Sequence, residues 1–366
     1  MSEVQLFDKA HSTGIFPSIS ENDHEMVVFC QDKITGLKAI IAVHNTTLGP
    51  AMGGLRMWNY ENEAAALTDV LRLSRGMTLK NALAGINVGG GKAVIIGDAR
   101  QDKTEALLRR FGKFVQNLNG KYYTAEDVGM SEEDMVSLRH ETSFVTGLPI
   151  SMGGSGDPSP VTAYGTYLGI KASLKEATGS EKLNGKKVLI QGVGSVGSHL
   201  ASHLHREGAE LFIYDIYPEQ LKAVVKDTGA KVLNAEDVYT HSVDVYAPCA
   251  LGGTLNPDTI PLLNCMIVAG AANNQLLDET RDAKALQERG ILYAPDFMVN
   301  AGGIINVSLE LETYNRERAM QMTEKIYDTS LKIFNMAKEE RTTTHQAALS
   351  LAEKRIRDVG HVRLYQ

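Results

Sequence analysis

The glycine pattern at 192–197 constrains the fold more than any other part of the chain. The apolar run KVLIQ (187–191) leads directly into GVGSVG, and the amphipathic stretch SHLASHL follows. In this G-x-G-x-x-G arrangement, Gly192 permits a tight turn, Gly194 lets the backbone approach a pyrophosphate, and Gly197 lets helix and strand pack closely. The pattern therefore predicts a strand, a turn and a helix whose first N–H groups face an anion.

An acidic residue after the next apolar run narrows the choice of ligand. LFIYD (211–215) ends in Asp215, eighteen residues past Gly197. A carboxylate there can accept hydrogen bonds from both hydroxyls of an adenosine ribose and would repel a 2′-phosphate, and the following IYPEQ supplies no arginine. We therefore predict a dinucleotide site that prefers NAD to NADP. The alternative is a structural turn that Asp215 merely caps.

Short apolar runs recur over the second half of the chain with longer segments between them. This alternation predicts a parallel, doubly wound sheet, whereas the first 145 or so residues mix strands and helices without such a rhythm. We predict an α/β protein with an N-terminal mixed α/β domain over 1–147 and a Rossmann-type NAD domain over 148–339, with a deep cleft between them. We predict a hinge near 145–160, in which the stretch 151–160 is rich in Gly, Ser and Pro, and residues 340–366 are expected to return to the first domain. The predicted strands of the second domain are 187–191, 211–215, 243–248, 266–270 and 291–296.

The other predicted elements follow from apolar periodicity. MVVFC and KAIIAVHN, separated by a polar turn, predict a hairpin, and KAVIIGD predicts a further strand. Thr104 is the expected cap of one amphipathic helix. The hairpin covers 26–30 and 38–45, the strand 92–98, and the helices 61–77, 104–118, 162–176, 304–339 and 344–359.

Bulk composition excludes several classes of protein. Charged residues make up 22% and hydrophobic residues 43%, with a net charge of −7 and no basic stripe, so nucleic acid and anionic membranes are not expected partners. Three widely separated cysteines do not form a disulfide framework. The first 16 residues lack the pattern of a secretory signal, and no stretch approaches the 18 apolar residues of a membrane span. We expect a cytoplasmic protein.

A second glycine cluster, GINVGGGKA (85–93), raises the question of a phosphate loop. The residue five before Gly91 is Ile86 rather than glycine, and Ala93 has no hydroxyl for Mg²⁺, so the Walker pattern fails. Lys92 and Lys80 could instead bring two ammonium groups into one cleft, where one holds a carboxylate and the other, with a depressed pKa, acts as a base. The glycines would then let Lys92 reach a substrate. The alternative is that both lysines are ordinary surface residues.

Seven collinear segments together resemble the amino-acid dehydrogenases. The resemblance is to the branch with leucine, valine and phenylalanine dehydrogenases, distant relatives of glutamate dehydrogenase, and it runs from about residue 25 to beyond 310. The segments are TLGPAMGGLRMW (47–58), GMTLKNALAGINVGGGK (76–92), YYTAEDVG (122–129), GDPSPVTAYG (156–165), YAPCALGG (246–253), AGAANNQL (269–276) and YAPDFMVNAGGIINV (293–307).

The resemblance implies a catalytic set in the N-terminal domain. Lys80 pairs with the substrate carboxylate, Lys92 activates water against an imine, and Asp127 carries protons to and from the amino group. Gly53 and Gly54 lie close against the substrate, where a Cβ would intrude.

The resemblance also implies a cofactor set and an assembly. Cys249 is expected to be a wall residue rather than a nucleophile. The N-terminal domain would carry substrate binding and oligomerisation, and the protein would be a homo-oligomer, with an octamer as one form. The implied cofactor residues are Gly192, Gly194, Val196 and Gly197 at the pyrophosphate, Asp215 at the ribose, Thr162, Asn274 and Asn300 at the nicotinamide, with Asn274 also at the substrate, and Cys249 and Ala250 beside the cofactor.

By the same resemblance, the substrate side chain meets Met52, Ala125, Ile304 and Val307. All four are apolar, so a buried glutamate or aspartate side chain would find no partner. The expected reaction is the reversible, NAD-dependent oxidative deamination of L-leucine and other branched-chain L-amino acids to 2-oxo acids and ammonia. An aromatic substrate, phenylalanine or tryptophan, ranks second because methionine adapts its shape.

Two other classes of function are weaker. A non-catalytic NAD-binding regulatory protein should have lost Lys80, Lys92 or Asp127, and the chain keeps all three. A metal enzyme would depend on the histidines of the helix after the glycine turn, and they have no nearby carboxylate or cysteine set. We therefore predict no metal site at His199, His203 and His205.

Overall fold

The computed structural model describes residues 14–21 and 23–363. The expectation about a secretory signal falls mostly on residues 1–13, outside this part of the chain. Two compact units are present: the described residues up to Thr78 together with Val88–Val145, and Leu79–Asn87 together with the described residues from Thr146 onward. In the described ranges, no helix is both long enough and apolar enough to cross a membrane.

The first unit is built on a five-stranded mixed sheet. Its strand order is β1-β2-β4-β3-β5, in which β3 is parallel to both β4 and β5 while β2 is antiparallel to β1 and β4. The predicted hairpin is therefore confirmed. The strands are β1 (Met26–Asp32), β2 (Leu37–Asn45), β3 (Ala51–Trp58), β4 (Gly89–Ile96) and β5 (Tyr122–Glu126).

Four helices accompany this sheet. The side chain of Thr104 accepts a hydrogen bond from the backbone of Leu107, which confirms the predicted cap of the third helix. The second helix is longer than predicted, and its last five residues belong to the second unit. The helices are α1 (Ile15–Glu21), α2 (Glu63–Leu83), α3 (Glu105–Asn117) and α4 (Glu132–Arg139).

The triple glycine lies inside β4 and serves packing. A Cβ on Gly90 would lie 2.2 Å from the backbone nitrogen of Thr78 in α2, and one on Gly91 would lie 2.7 Å from the ring of Tyr122. The strand therefore carries glycine because a helix backbone and an aromatic ring occupy the space of its side chains.

The second unit contains the predicted parallel sheet, with a sixth, short strand at Lys231–Val232 that was not predicted. Its order, β11-β10-β9-β6-β7-β8, is that of a Rossmann dinucleotide fold, in which ligands bind where the order reverses, here between β6 and β9. The strands are β6 (Lys187–Gln191), β7 (Glu210–Tyr214), β8 (Lys231–Val232), β9 (Val245–Pro248), β10 (Ile267–Val268) and β11 (Leu292–Tyr293).

The prediction of one long helix over 304–339 is wrong. A short helix ends at Ser308, a 3₁₀ turn follows at Leu309–Leu311, and a new helix begins where Asn315 accepts a hydrogen bond from the backbone of Arg318. An asparagine cap offers the backbone a partner outside the helix, so the helical pattern restarts there. The helices of this unit are α5 (Ser159–Thr178), α6 (Ser195–Arg206), α7 (Pro218–Thr228), α8 (Glu279–Glu288), α9 (Asp296–Val299), α10 (Gly302–Ser308), α11 (Arg316–Glu339) and α12 (Thr344–Arg363).

Helix α12 is anchored to the end of α2 and the turn after it. The guanidinium of Arg355 donates to the carbonyls of Ala82 at 3.1 Å and Ile86 at 2.9 Å, and to the amide oxygen of Asn87 at 2.9 Å. These partners fall within the predicted first domain, 1–147, yet they belong to the second compact unit. The functional limits of the two domains stay predictions, because compactness does not test what each unit binds.

Candidate active site

Strand register in the first unit places the predicted catalytic residues on one face of the sheet. Leu55 of β3 pairs with Ala93 of β4 and with Glu126 of β5. The residues next to these partners, Lys92 and Asp127, therefore share one face of the sheet, since side chains alternate along a strand. Strand β3 lies between β4, which carries Lys92, and β5, which Asp127 follows.

Lys92 and Asp127 form an ion pair across β3. Nζ of Lys92 lies 2.7 Å from Oδ2 of Asp127, and the two side chains are 7% and 20% exposed. Burial alone would raise the pKa of the Asp127 carboxyl, but the positive charges of Lys92 and Arg56 outweigh it and lower that pKa to about 2. The structure thus brings together an ammonium group and an ionised carboxylate with little access to water.

The ion pair is possible because β3 has no side chain at its midpoint. A Cβ on Gly54 would lie 2.8 Å from the Cβ of Asp127 and 2.7 Å from the backbone oxygen of Glu126. A Cβ on Gly53 would meet the backbone of Gly91 instead. Close packing therefore explains why both positions are glycine. Their contact with substrate stays a prediction.

Sequence reasoning missed a second cation beside this pair. Nε of Arg56 lies 3.1 Å from Oδ2 of Asp127, the same oxygen that Lys92 contacts. Nη1 of Arg56 donates to Oδ2 of Asp69 at 3.0 Å, and the hydroxyl of Tyr60 donates to that oxygen at 2.6 Å. The available signal was an arginine two residues after Gly54 in a strand that is otherwise apolar, where it must find a buried partner.

The glycine turn of the second unit has the shape that a pyrophosphate requires. Gly192 has φ +95°, and a Cβ there would lie 2.7 Å from the Cβ of Ala250. A Cβ on Gly197 would lie 2.0 Å from the carbonyl oxygen of Gly192, so the third glycine lets α6 pack on the turn. At Gly194 the nearest atom would be 4.0 Å away, on Gln220, which leaves room for a ligand at the start of α6. These residues fit a dinucleotide.

Asp215 accepts two backbone hydrogen bonds, one of them from the glycine turn, and its contact with a ribose stays a prediction. Its carboxylate accepts the backbone N–H of Val193 at 2.8 Å and that of Tyr217 at 3.0 Å. Each carboxylate oxygen has a second lone pair, so these bonds orient the group without using up its capacity to accept. Val196, in the first turn of α6, is half-buried.

An amide cluster in the second unit is centred on Asn273, the neighbour of the predicted Asn274, whose contact with cofactor and substrate stays a prediction. Nδ2 of Asn300 donates to Oδ1 of Asn273 at 2.7 Å and to the carbonyl of Ala271 at 3.1 Å. Nζ of Lys80 donates to the same Oδ1 at 3.4 Å. Asn274 has φ +53°, in the left-handed region, and its neighbour makes these contacts.

The remaining predicted cofactor residues lie in the second unit. The hydroxyl of Thr162 donates to the carbonyl of Pro158 at 3.0 Å, in the first turn of α5. Burial raises the pKa of the Cys249 thiol to about 12, so the thiol stays protonated at neutral pH and suits a wall rather than a nucleophile. Ala250 is exposed beside the glycine turn.

The four predicted side-chain pocket residues are buried and apolar. Met52 and Ala125 lie on β3 and β5 of the first unit, whereas Ile304 and Val307 are one helical turn apart on α10 of the second. Their contact with a substrate stays a prediction.

Of the histidines of α6, His203 packs against a neighbouring ring, whereas His199 and His205 are exposed. The ring of His203 stacks on that of Tyr167 with centroids 5.3 Å apart, and burial, together with the charge of Arg206, lowers the pKa of His203. Within the part of the chain that the structure covers, no group of three or more His, Cys, Asp or Glu side chains could hold a metal ion.

A Rossmann sheet with a dinucleotide turn, together with a buried lysine–aspartate pair, defines a dehydrogenase of the nicotinamide-dependent class. Residues 24–144 match the family described as Glu/Leu/Phe/Val dehydrogenase, dimerisation domain, and residues 153–217 and 215–363 match the family Glutamate/Leucine/Phenylalanine/Valine dehydrogenase. The chain belongs to this family of NAD(P)-dependent amino-acid dehydrogenases, which confirms the predicted α/β class with a Rossmann-type domain and the predicted class of enzyme.

Relatives match along almost the whole chain. The chain is 53% identical over 349 residues to a leucine dehydrogenase of Bacillus cereus and 54% identical over 349 residues to one of Geobacillus stearothermophilus, in both cases covering 95% of each chain. A crystal structure of L-tryptophan dehydrogenase from Nostoc punctiforme superposes with a TM-score of 0.84 at 47% identity, covering 94% of this chain and 99% of that one.

Proposed function

We propose that the protein catalyses the reversible, NAD-dependent oxidative deamination of L-leucine and other branched-chain L-amino acids. The products are a 2-oxo acid, ammonia, a proton and the reduced dinucleotide, and one water is consumed. The observation that carries the proposal is the buried ion pair of Lys92 and Asp127, in a chain more than half identical to leucine dehydrogenases.

Lys92 and Asp127 divide the proton chemistry between them. The bound dinucleotide supplies a hydride acceptor for the α-carbon of the substrate, and the resulting imine must then add water. Lys92 activates that water against the imine and stabilises the oxygen as it becomes the carbonyl oxygen. Asp127 accepts a proton from the substrate amino group before hydride transfer and returns it to the nitrogen as ammonia leaves. As the carbinolamine forms and collapses, the water gives up its two protons, one to the released ammonia and one to solvent.

Lys80 is the proposed partner of the substrate carboxylate. Its ammonium group donates to Oδ1 of Asn273 at 3.4 Å, so the side chain is already directed toward the amide cluster. Asn300 donates to the same oxygen, which holds the amide of Asn273 in one orientation. A charge-assisted contact with the carboxylate would fix the α-carbon for hydride transfer.

NAD rather than NADP is the proposed cofactor because of Asp215. Its carboxylate is oriented by two backbone N–H groups, and a 2′-phosphate placed there would bring a second negative charge against it. The proposed pyrophosphate contacts are Gly192, Gly194, Val196 and Gly197, with Thr162, Asn274, Asn300, Cys249 and Ala250 lining the rest of the cofactor.

An aliphatic substrate suits the four apolar pocket residues, Met52, Ala125, Ile304 and Val307. Discrimination by one methylene is worth about 1–3 kcal/mol, so leucine, isoleucine and valine should all react. An aromatic L-amino acid is the second candidate, because the structurally similar Nostoc punctiforme protein is an L-tryptophan dehydrogenase.

A homo-oligomer assembled through the first unit is the proposed quaternary structure. The support is the description of the matching family, which names residues 24–144 a dimerisation domain. Light scattering of the purified protein would measure the number of subunits.

The decisive experiment assays purified protein with L-leucine, L-isoleucine, L-valine, L-phenylalanine and L-tryptophan, each with NAD and with NADP. We expect reduction of NAD with the branched-chain amino acids first. K92A should lose at least about 10²-fold in kcat while NAD binding survives. K113A is the matched control, since the side chain of Lys113 is 57% exposed and pairs with Glu141 in the same unit. NAD binding without oxidation of any amino acid on the panel would refute the proposal.

A further inference from the structure

Arg56 occupies a place that the reaction described above does not explain. It lies on β3 with a 22% exposed side chain, between two carboxylates whose side chains are 17% and 20% exposed. Its Nε contacts Oδ2 of Asp127 at 3.1 Å, and its Nη1 contacts Oδ2 of Asp69 at 3.0 Å. A guanidinium holds such a fixed fork because it is planar and permanently charged.

Asp69, one of the two carboxylates that Arg56 contacts, is also held by Tyr60. The hydroxyl of Tyr60 donates to the oxygen of Asp69 that Arg56 contacts, at 2.6 Å. Burial first, and then this hydrogen bond to Asp69, raise the pKa of Tyr60, so the hydroxyl stays a donor. Asp69 is therefore held by two donors and in turn fixes the direction in which Arg56 points.

We propose that Arg56 is a positioning residue of the dehydrogenase reaction: held by Asp69 and Tyr60, it fixes the Asp127 carboxylate beside Lys92 and sets the pH at which that carboxylate takes up a proton. The inference rests on the proposed function of Asp127 as the proton carrier. Because Lys92 and Arg56 share one oxygen of Asp127, loss of either cation changes both the orientation and the charge balance of the same group.

Within the first unit, the charged and titratable groups facing Asp127 come from every neighbouring element. Lys92 approaches from β4 and Arg56 from β3, and Tyr122 lies on β5 itself. Asp69 on α2 acts through Arg56. The positive charges of Lys92 and Arg56 therefore act on Asp127 directly, and the negative charge of Asp69 partly offsets that of Arg56.

Three variants separate positioning from simple structural support. In R56M the attraction of Arg56 is lost, so the acid limb of the pH profile of kcat/KM should move to higher pH by about 1 unit or more. R56K keeps the charge without the fork, so it should move the limb less. D69N removes a negative charge beside Arg56 while its amide oxygen can still accept from the guanidinium, so the limb should move to lower pH. Shifts of the acid limb in opposite directions in R56M and D69N would identify Arg56 as the residue that controls the charge of Asp127.

A second readout follows Asp127 without turnover. Difference infrared titration, with D127N as the blank, reports protonation of this carboxyl directly, and R56M should protonate at higher pH than wild type. R109M is the matched control, because Arg109 also contacts two carboxylates, Glu141 and Glu105, on the exposed side of the same unit. It should leave the profile in place.

The outcomes are distinct. The inference would be overturned if the acid limb of the kcat/KM profile moved in the same direction in R56M and D69N. It would also be overturned if the rates fell equally at every pH and the acid limb did not move. If R56M fails to fold, R56K and D69N decide the question by the same signs. A wild-type protein that oxidises no amino acid would defeat the proposed function, while the infrared titration would still test whether Arg56 controls Asp127.

Discussion

The Cβ that Gly54 lacks would lie 2.8 Å from the Cβ of Asp127. Real Cβ contacts of that length essentially do not occur, so the backbone or Asp127 would have to move. Gly54 belongs to the strand between Lys92 and Asp127, and its missing side chain is the gap through which the two meet.

G54A should therefore damage catalysis more than folding. We expect a loss of about 1–3 kcal/mol in the free energy of unfolding from overpacking, and a fall in kcat of about 10²-fold from displacement of the carboxylate. Urea unfolding and steady-state kinetics would measure both. G76A is the control: its Cβ would meet no atom within 4 Å, and alanine inside α2 should stabilise by about 0.5–1 kcal/mol without changing kcat. Equal kcat in the two variants would contradict the conclusion that the missing side chain of Gly54 is needed for Lys92 and Asp127 to meet.

The ion pair of Asp127 should leave a signature in acid. Its pKa falls to about 2 in the folded state, so the stability it contributes is present above the unfolded value of about 4 and is lost as the pH falls through about 2. The shift corresponds to about 2–3 kcal/mol at neutral pH. The gap in urea midpoint between wild type and D127N should therefore close between about pH 4 and 2. E105Q, which removes an exposed charge from α3, should show no such closure.

Asp215 should control the choice between NAD and NADP. In D215S the ribose hydroxyls lose a charged acceptor, so KM for NAD should rise about tenfold or more while the penalty on the 2′-phosphate falls. The ratio of kcat/KM for the two cofactors measures the change. D258N, at an exposed turn of the same unit, should leave the ratio unaltered. An unchanged ratio in D215S would return Asp215 to the role of a turn cap.

Glu310 should hold the loop that precedes α5. Its carboxylate accepts the backbone N–H groups of Gly147 at 3.0 Å and Ser155 at 2.9 Å, in the region predicted to be a hinge. E310A leaves these donors without their charged acceptor, so we expect amide hydrogen exchange there to be about tenfold faster or more. E312A removes a neighbouring exposed carboxylate, paired with Arg318, and should not change exchange in the loop. Equal protection in wild type and E310A would show that the loop is held elsewhere.

Features that depend on local pattern could be predicted from the sequence. The strand, turn and helix around Gly192 follow from glycine spacing and an apolar run, and the hairpin from two runs around a polar turn. Lys92 and Asp127 could be identified because their motifs resemble those of a known family.

Features that depend on strand register or on a single backbone angle could not be predicted from the sequence. Arg56 acquires its role only because β3 lies between β4 and β5, an order that no local pattern encodes. The bond from Asn300 to Asn273 likewise joins residues 27 positions apart, next to a residue, Asn274, whose φ of +53° no sequence pattern announces. The predicted long helix overlooked Asn315, whose cap restarts the helix.

The charges around Asp127 alternate: Lys92 positive, Asp127 negative, Arg56 positive, Asp69 negative. Their sum is zero, and beyond a Debye length of about 8 Å such a row exerts almost no field. A free amino acid is itself a zwitterion without net charge. Long-range attraction between this cluster and the amino acid therefore has little part in bringing substrate and protein together. The cluster should add little salt dependence to the rate of substrate capture.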